Sequence, residues 1–278
     1  MAEAIINRAY DRSGAVRREE PYVHGVLHGT LRMYHSNGNL ASEEIYAAGR
    51  LNGLCRQWAW DGRLLGSYRV ENGTGTQCSW YDNAQLCLEF SIVDGKPSGR
   101  SRHWLADGTL VVDEYLLEGR PVTREEYRTG CDADFRLPRC EDDNFVPLHL
   151  EGPEVERKKV ELLVGLLMAQ PNHEEVRSWL KSASERSVRV LGRFVNPSSA
   201  LAAMDELYAA GAVKIVALDI YGKDAGQRFC DKIAVEMPTK PLLRHKIRDV
   251  CCELKNKVGL SFGSKDDFGE KYLYLLLD

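Results

Sequence analysis

The sequence predicts an α+β protein in two parts: an elongated antiparallel sheet of β-hairpin repeats, then a smaller domain of alternating helices and strands. Two observations support this fold class. A frame of glycine and aromatic residues recurs four times between about residues 22 and 120, and apolar residues recur at helical spacing from residue 154 onward. A chain of 278 residues is long enough to form two domains.

The repeated frame consists of a glycine, an aromatic residue five positions later, usually a second glycine four positions on, and a leucine two positions further. It begins at Gly29, Gly53, Gly75 and Gly99, so the units are spaced by 24, 22 and 24 residues. Such regular spacing is typical of stacked structural repeats that share one core.

Asn-Gly and Asp-Gly pairs precede the frame's leucine in three of the four units, and they favour a tight hairpin turn with positive φ. In the first unit this predicts one strand over Gly29–Tyr34 and a second over Leu40–Tyr46. The third unit has Asn83–Ala84 at the turn and an extra glycine, Gly73. This departure predicts a different turn or an irregular seam there.

Stacking of the units places their aromatic residues at equivalent positions, in a ladder along the sheet. One interpretation makes these rings part of the core. The other places some of them, with neighbouring aromatic residues, in an exposed groove, because Trp and Tyr are frequent anchors of binding surfaces. The candidate partner-binding residues are Tyr34, Trp58, Trp60, Trp80, Tyr81, Trp104 and Tyr115.

The frame, seen at Gly49–Leu64 and Gly95–Leu110, resembles MORN repeats, in particular the bacterial YwqK-like variant often labelled as an antitoxin. The resemblance covers about a hundred residues. It implies a MORN-like β-hairpin array used for protein contact, with membrane or lipid contact in some members. It implies no catalytic residue, because the motif has none.

We expect the repeat domain to span residues 1–128 and a polar linker to span 129–153. Within that linker Cys131, Cys140 and His149 match no standard metal-site spacing, and the acidic run Glu141, Asp142, Asp143 is typical of a solvated segment. A helical hairpin is predicted over 154–184, its second helix capped by Asn172.

The remaining segment, 185–278, predicts the order strand, helix, strand, strand, helix, strand. The predicted elements cover 187–195, 197–210, 213–221, 229–236, 240–258 and 271–277. This order is that of a ferredoxin-like sandwich, in which four antiparallel strands carry two helices on one face.

Composition limits the function classes. The 37 basic and 41 acidic residues are interspersed, which disfavours nucleic acid as a partner. The sequence shows no signal-peptide pattern and no long apolar run, and its eight cysteines show no pairing framework. We therefore expect a cytoplasmic protein with reduced thiols.

No nucleophile elbow, phosphate-binding loop or metalloprotease motif is present, and no cofactor or metal is predicted. Asp219 and Asp224 come nearest to a carboxylate pair, although Gly-Lys-Asp-Ala-Gly is also ordinary turn chemistry. The sequence thus predicts a non-enzymatic protein–protein interaction module, with an antitoxin or immunity protein as one form. The alternatives are a scaffold that associates with membrane phospholipid, and a metal-dependent enzyme built on Asp219 and Asp224.

Overall fold

The computed structural model describes residues 4–139, 145, 147–183, 188–222, 226–263 and 266–277. The chain divides into two compact units. The first contains Met1–Tyr10 and Val16–Glu151, and the second contains Asp11–Ala15 and Gly152–Asp278. The first unit is dominated by a large antiparallel sheet and most helices lie in the second, so the predicted α+β class is confirmed.

The first unit is built on one antiparallel sheet that contains fourteen strands among the described residues. Eleven of them lie in the spatial order β1-β2-β4-β5-β7-β8-β9-β10-β11-β12-β13, while β3 pairs with β2, β6 with β5, and β14 with β12. The strands are β1 Ile5–Tyr10, β2 Val16–Val23, β3 Val26–Leu27, β4 Gly29–Tyr34, β5 Leu40–Ala47, β6 Arg50–Leu51, β7 Gly53–Trp58, β8 Leu64–Glu71, β9 Thr74–Trp80, β10 Leu86–Val93, β11 Lys96–Trp104, β12 Leu110–Leu117, β13 Arg120–Val122 and β14 Leu148–His149.

Each predicted repeat is a hairpin, and the frame residues occupy the same register positions in all four. The first glycine of the frame pairs with the far end of the returning strand, and the aromatic residue pairs with the leucine next to the turn, beside a register shift. The aromatic pairs are Tyr34 with Leu40, Trp58 with Leu64, Trp80 with Leu86, and Trp104 with Leu110. The frame therefore marks where each hairpin opens and closes.

The turn of the third unit is not different from the others, so the first of the two predicted alternatives was wrong. Gly38, Gly62 and Gly108 have φ of 86°, 87° and 86°, and Ala84 adopts the same left-handed region at 68°. The irregularity lies at the start of the unit instead: its short connection leaves Gly73 so close to the next turn that an added Cβ would lie 2.9 Å from the Gly95 nitrogen.

Two buried clusters stabilise the first unit. One lies on the repeats and contains Leu51, Cys55, Val70 and Ile92, with Tyr46, Tyr68 and Phe90 packed against it. The other lies at the end of the sheet, where helix α1 (Arg124–Ala133) begins at a capping box formed by Thr123 and Glu126. The segment predicted as a linker, 129–153, thus contains the end of α1 and strand β14.

The second unit alternates helices and short strands. Its larger sheet has the strand order β15-β17-β19-β21-β20, and β16 and β18 form a separate two-stranded sheet. The elements are α2 Pro153–Ala169, β15 Glu174–Glu175, α3 Val176–Lys181, β16 Val188–Leu191, α4 Pro197–Ala210, β17 Lys214–Leu218, β18 Gln227–Cys230, β19 Lys232–Glu236, α5 Pro241–Val258, β20 Ser261–Phe262 and β21 Tyr272–Leu276.

The ferredoxin-like arrangement is not confirmed. Its first predicted strand, β16, is not paired into the larger sheet and runs parallel to β18, while β21 pairs directly with β19. Helices also cover both faces of the larger sheet: Val164 of α2 packs with Val216, whereas Ile215 belongs to the cluster that includes α3, α4 and α5. The reason is that these strands are apolar at successive positions, and such strands require a cover on each face.

Two helices, α2 and α3, occupy the segment predicted as a helical hairpin, 154–184. Helix α2 and the short helix α3 contribute to different buried clusters. Glu175 caps α3 by accepting hydrogen bonds from the amides of Arg177 and Ser178, while the Asn172 side chain donates to Asp219. Helix α4, by contrast, starts at Asn196 and ends at Gly211 as predicted.

None of the helices in the described ranges is long and apolar enough to cross a membrane.

Candidate functional site

A row of mostly charged residues crosses the sheet of the first unit, with one residue on each of ten strands. Each member is the direct register partner of the next, except that Ser67 and Cys78 stand on the adjoining strands β8 and β9. This charged row consists of Arg8, Glu19, Arg32, Glu43, Arg56, Ser67, Cys78, Glu89, Arg102 and Asp113. Positive and negative side chains therefore alternate along most of it.

Short ion pairs link the members of the charged row. Arg8 Nε lies 2.8 Å from Glu19 Oε1, and Arg32 Nε lies 2.9 Å from Glu43 Oε1. Arg56 approaches the other oxygen of Glu43 at 3.8 Å. Glu43 is 20% exposed and Arg32 is 42% exposed, so the glutamates are the more enclosed partners. Opposite charges directly across strands stabilise a sheet modestly and hold the side chains in order.

The ladder of aromatic residues lies next to the charged row. Tyr34, Trp58, Trp80 and Trp104 each follow a member of that row by two residues, and we call these four the aromatic row. At one end Tyr34 donates a hydrogen bond to Glu19 Oε2 at 2.8 Å. The hydrogen bond from Arg8, and after it the one from Tyr34, lowers the pKa of the Glu19 carboxyl.

At the other end the guanidinium of Arg102 stands 5.3 Å from the centre of the Trp104 ring. The charged and aromatic rows therefore share one surface of the sheet. All four members of the aromatic row are half-buried, and none belongs to the buried cluster of the repeats. The rings are thus neither buried core nor fully exposed.

Trp80 shows how a ring is held against the sheet. A Cβ added to Gly66 of the neighbouring strand β8 would lie 2.4 Å from Trp80 Cε2, so the indole occupies the space of the missing side chain. The Gln57 amide holds the backbone of the same residue: its Nε2 donates to Trp80 O at 2.7 Å and its Oε1 accepts from Trp80 N at 3.0 Å. The ring position is therefore fixed by its neighbours.

Equivalent hydrogen bonds connect successive units at a separation of 23 residues. His35 Nε2 donates to Trp58 O at 2.9 Å, and the Tyr81 hydroxyl donates to Trp104 O at 2.9 Å. Asn37 also reaches Trp60 O, at 2.7 Å. These bonds tie the backbone at Trp58, Trp60 and Trp104 to the preceding unit.

The other predicted partner-binding residues differ in how deeply they are buried. Trp60 and Tyr81 are half-buried at the turns, where Trp60 Nε1 donates to Ser36 Oγ at 3.2 Å. Tyr115 is fully buried, with its ring stacked on Tyr127 at 4.8 Å, so its assignment to an exposed groove was wrong. Helix α1 covers it, and no helix was predicted at that boundary between the repeat domain and the linker.

The alternative enzymatic site is centred on Asp219 in the second unit. Its Oδ2 lies 2.5 Å from Lys232 Nζ, and its Oδ1 accepts a hydrogen bond from Asn172 at 3.1 Å. Asp224 lies outside the described residues, as do Cys140, Glu141, Asp142 and Asp143 of the predicted linker. In the ranges that the structure describes, no group of three or more His, Cys, Asp or Glu could hold a metal ion.

Comparison with known proteins gives little. No protein-family model matches the chain, and no curated protein matches it. A solved structure described as a Glycosylation Associate Protein (Gap123) complex from Streptococcus agalactiae is similar over 67% of this chain, with 13% sequence identity and a TM-score of 0.20. The match spans about a quarter, 26%, of that chain. A similarity at this level supports no inference about fold or function.

Proposed function

We propose that the first unit is a protein-interaction module, and that it binds a partner protein through the surface that carries the charged and aromatic rows. The observation that supports this is the aromatic row itself. Its rings are half-buried and lie outside the buried cluster, and hydrogen bonds between units hold the backbone at Trp58 and Trp104.

Such a surface has the chemistry of a protein-binding site. Trp, Tyr and Arg dominate the binding energy of protein interfaces, and the arginines of the charged row stand beside the aromatic row. Because the Trp80 ring is held against Gly66 before binding, it loses little side-chain freedom when a partner docks. The alternating signs suit a partner with its own ordered charges and would repel part of any uniformly anionic surface, such as nucleic acid or acidic lipid.

The family and the partner class form part of the same proposal. The equal register of the four hairpins supports grouping them with MORN-type repeats of the YwqK-like variant, in which an antitoxin or immunity protein would be a binding protein without catalytic residues. On this proposal the chain acts by occupying a surface of its partner, and it catalyses no reaction.

Affinity capture from the source cell tests the proposal. The bait variants are the wild type, the double substitution Trp58→Ala with Trp104→Ala, and Phe135→Ala, a matched control whose side chain is 91% exposed in the same unit. Circular dichroism first establishes that all three are folded. We expect one specific protein to be recovered with the wild type and the control, and its affinity for the double variant to fall at least about tenfold.

A second pair of substitutions guards against misfolding of the tryptophan variant. Exchanging the charges of one ion pair, Arg32→Glu with Glu43→Arg, keeps the pair but reverses its pattern on the surface. If the captured protein binds all of these variants with wild-type affinity, this surface is not the binding site.

A further inference from the structure

The second unit contains two arginines side by side on neighbouring strands. Arg189 of β16 and Arg228 of β18 are register partners in the parallel ladder. Strands in a sheet lie about 4.8 Å apart, and register partners project to the same face. Like charges directly opposite one another destabilise a sheet unless another group compensates them.

Among the described residues, neither arginine takes part in an ion pair. Arg189 Nε and Nη1 and Arg228 Nε are buried, yet none of them has a hydrogen-bond partner. The buried arginine Arg244 of the same unit is different, because its Nε and Nη2 donate to the two Asp267 carboxylate oxygens at 2.7 and 2.6 Å. Buried donors without acceptors are costly and therefore rare in native proteins.

Gly222 lies close to Arg228, and helix α3 packs against the strand that carries Arg189. A Cβ added to Gly222 would lie 3.0 Å from Arg228 Cδ and 2.4 Å from Gln227 O, so the backbone passes close enough to confine the Arg228 side chain. Trp179 of α3, a helix that packs against β16, is buried at 2% exposure, and its Nε1 also lacks an acceptor. What is missing on β16, β18 and α3 is in each case a hydrogen-bond acceptor.

We propose that Arg189 and Arg228 form a binding site for a phosphoryl group, carried by a small phosphorylated molecule or present as free phosphate. Guanidinium groups present planar pairs of donors that match the oxygens of phosphate. The two arginines together carry two positive charges. A phosphate dianion neutralises both charges, whereas a single carboxylate neutralises one. The bound anion would supply the acceptors that the described residues do not provide and would remove the repulsion between the arginines.

Thermal unfolding of the full chain tests the site, with inorganic phosphate, adenosine monophosphate, acetate and chloride compared at equal ionic strength. The variants are Arg189→Met, Arg228→Met and the control Arg193→Met, which replaces an exposed arginine of the same unit. We expect saturating phosphate or the monophosphate to raise the Tm of the wild type and the control by about 5 °C or more relative to chloride, and to leave both site variants unchanged.

The direction in which the substitutions shift the Tm without phosphate separates a binding role of the arginines from a structural one. In chloride alone we expect Arg228→Met to melt at the same temperature as the wild type or higher, because a like-charged neighbour is removed. Stronger stabilisation by the monophosphate would identify an organic phosphate, and an equal response would identify free phosphate. The proposal is overturned if acetate acts as well as phosphate, if the site variants respond like the wild type, or if both melt at lower temperatures in chloride.

Discussion

The left-handed alanine in the third turn offers a direct test of the repeat register on which the proposed binding surface depends. Ala84 has φ of 68°, at the position where the other three units place a glycine. Its side chain is exposed, so replacing it by glycine removes no buried contact. The Ala84→Gly substitution therefore changes the backbone energy and little else.

The expected magnitude follows from two opposing terms. The left-handed region costs an alanine about 1–2 kcal/mol relative to a right-handed one, and glycine avoids this cost. Glycine in turn makes the unfolded chain more flexible, which costs about 0.4–1 kcal/mol. We expect Ala84→Gly to raise the free energy of unfolding by about 0.5–1 kcal/mol.

Gly38→Ala is the matched reverse substitution, because Gly38 has φ of 86° and an added Cβ would have no heavy atom within 4 Å. It should lower the free energy of unfolding by a similar amount. Urea unfolding followed by tryptophan fluorescence measures both, since four of the five tryptophans, Trp58, Trp60, Trp80 and Trp104, lie in the repeats. A left-handed strain at Ala84 is refuted if Ala84→Gly lowers the free energy of unfolding, or if the two substitutions change that free energy in the same direction.

Two further predictions concern the second unit. Hydrogen bonds from Arg244 lower the pKa of the Asp267 carboxyl to about 2, so the stability that the ionised carboxylate contributes is complete above about pH 4 and is lost as the pH falls toward 2. The difference in unfolding free energy between the wild type and Asp267→Asn, measured with urea, should narrow by about 2 kcal/mol over that range. A constant difference would contradict the ion pair. Burial raises the pKa of the Cys230 thiol to about 12, so iodoacetamide at pH 8 should label this thiol only when urea unfolds the protein. The labelled cysteine is located by peptide mass, and rapid labelling of Cys230 in the native protein would show that the thiol is accessible.

The elements that the sequence predicted well are those that depend on neighbouring residues. The hairpins follow from a glycine and an aromatic residue at set positions around each turn, and helix α4 follows from the cap at Asn196 and the stop at Gly211. Positive φ and capping are local properties, so a few adjacent residues decide them. Even there, Ala84 shows that the rest of a repeat can impose a turn on an unfavourable residue.

The candidate sites depend on contacts that the sequence order does not reveal. Members of the charged row are separated along the chain by 11 or 13 residues, and their alternation becomes visible only when the register of the strands is known. By sequence Tyr115 does not differ from the other aromatic candidates, but in the structure α1 covers it. In each case the partner comes from another strand or helix.

The same distinction applies to the second unit. Its sequence of strands and helices was largely predictable, but the pairing of β16 with β18 and the cover of α2 on the far face of the larger sheet were not. Amino-acid sequence alone determined the turns of the repeat hairpins and the ends of helix α4, because backbone propensities act over a few residues. The tertiary structure decided which strands are neighbours, and so placed Arg189 beside Arg228, because pairing depends on burying apolar faces that are distant along the chain.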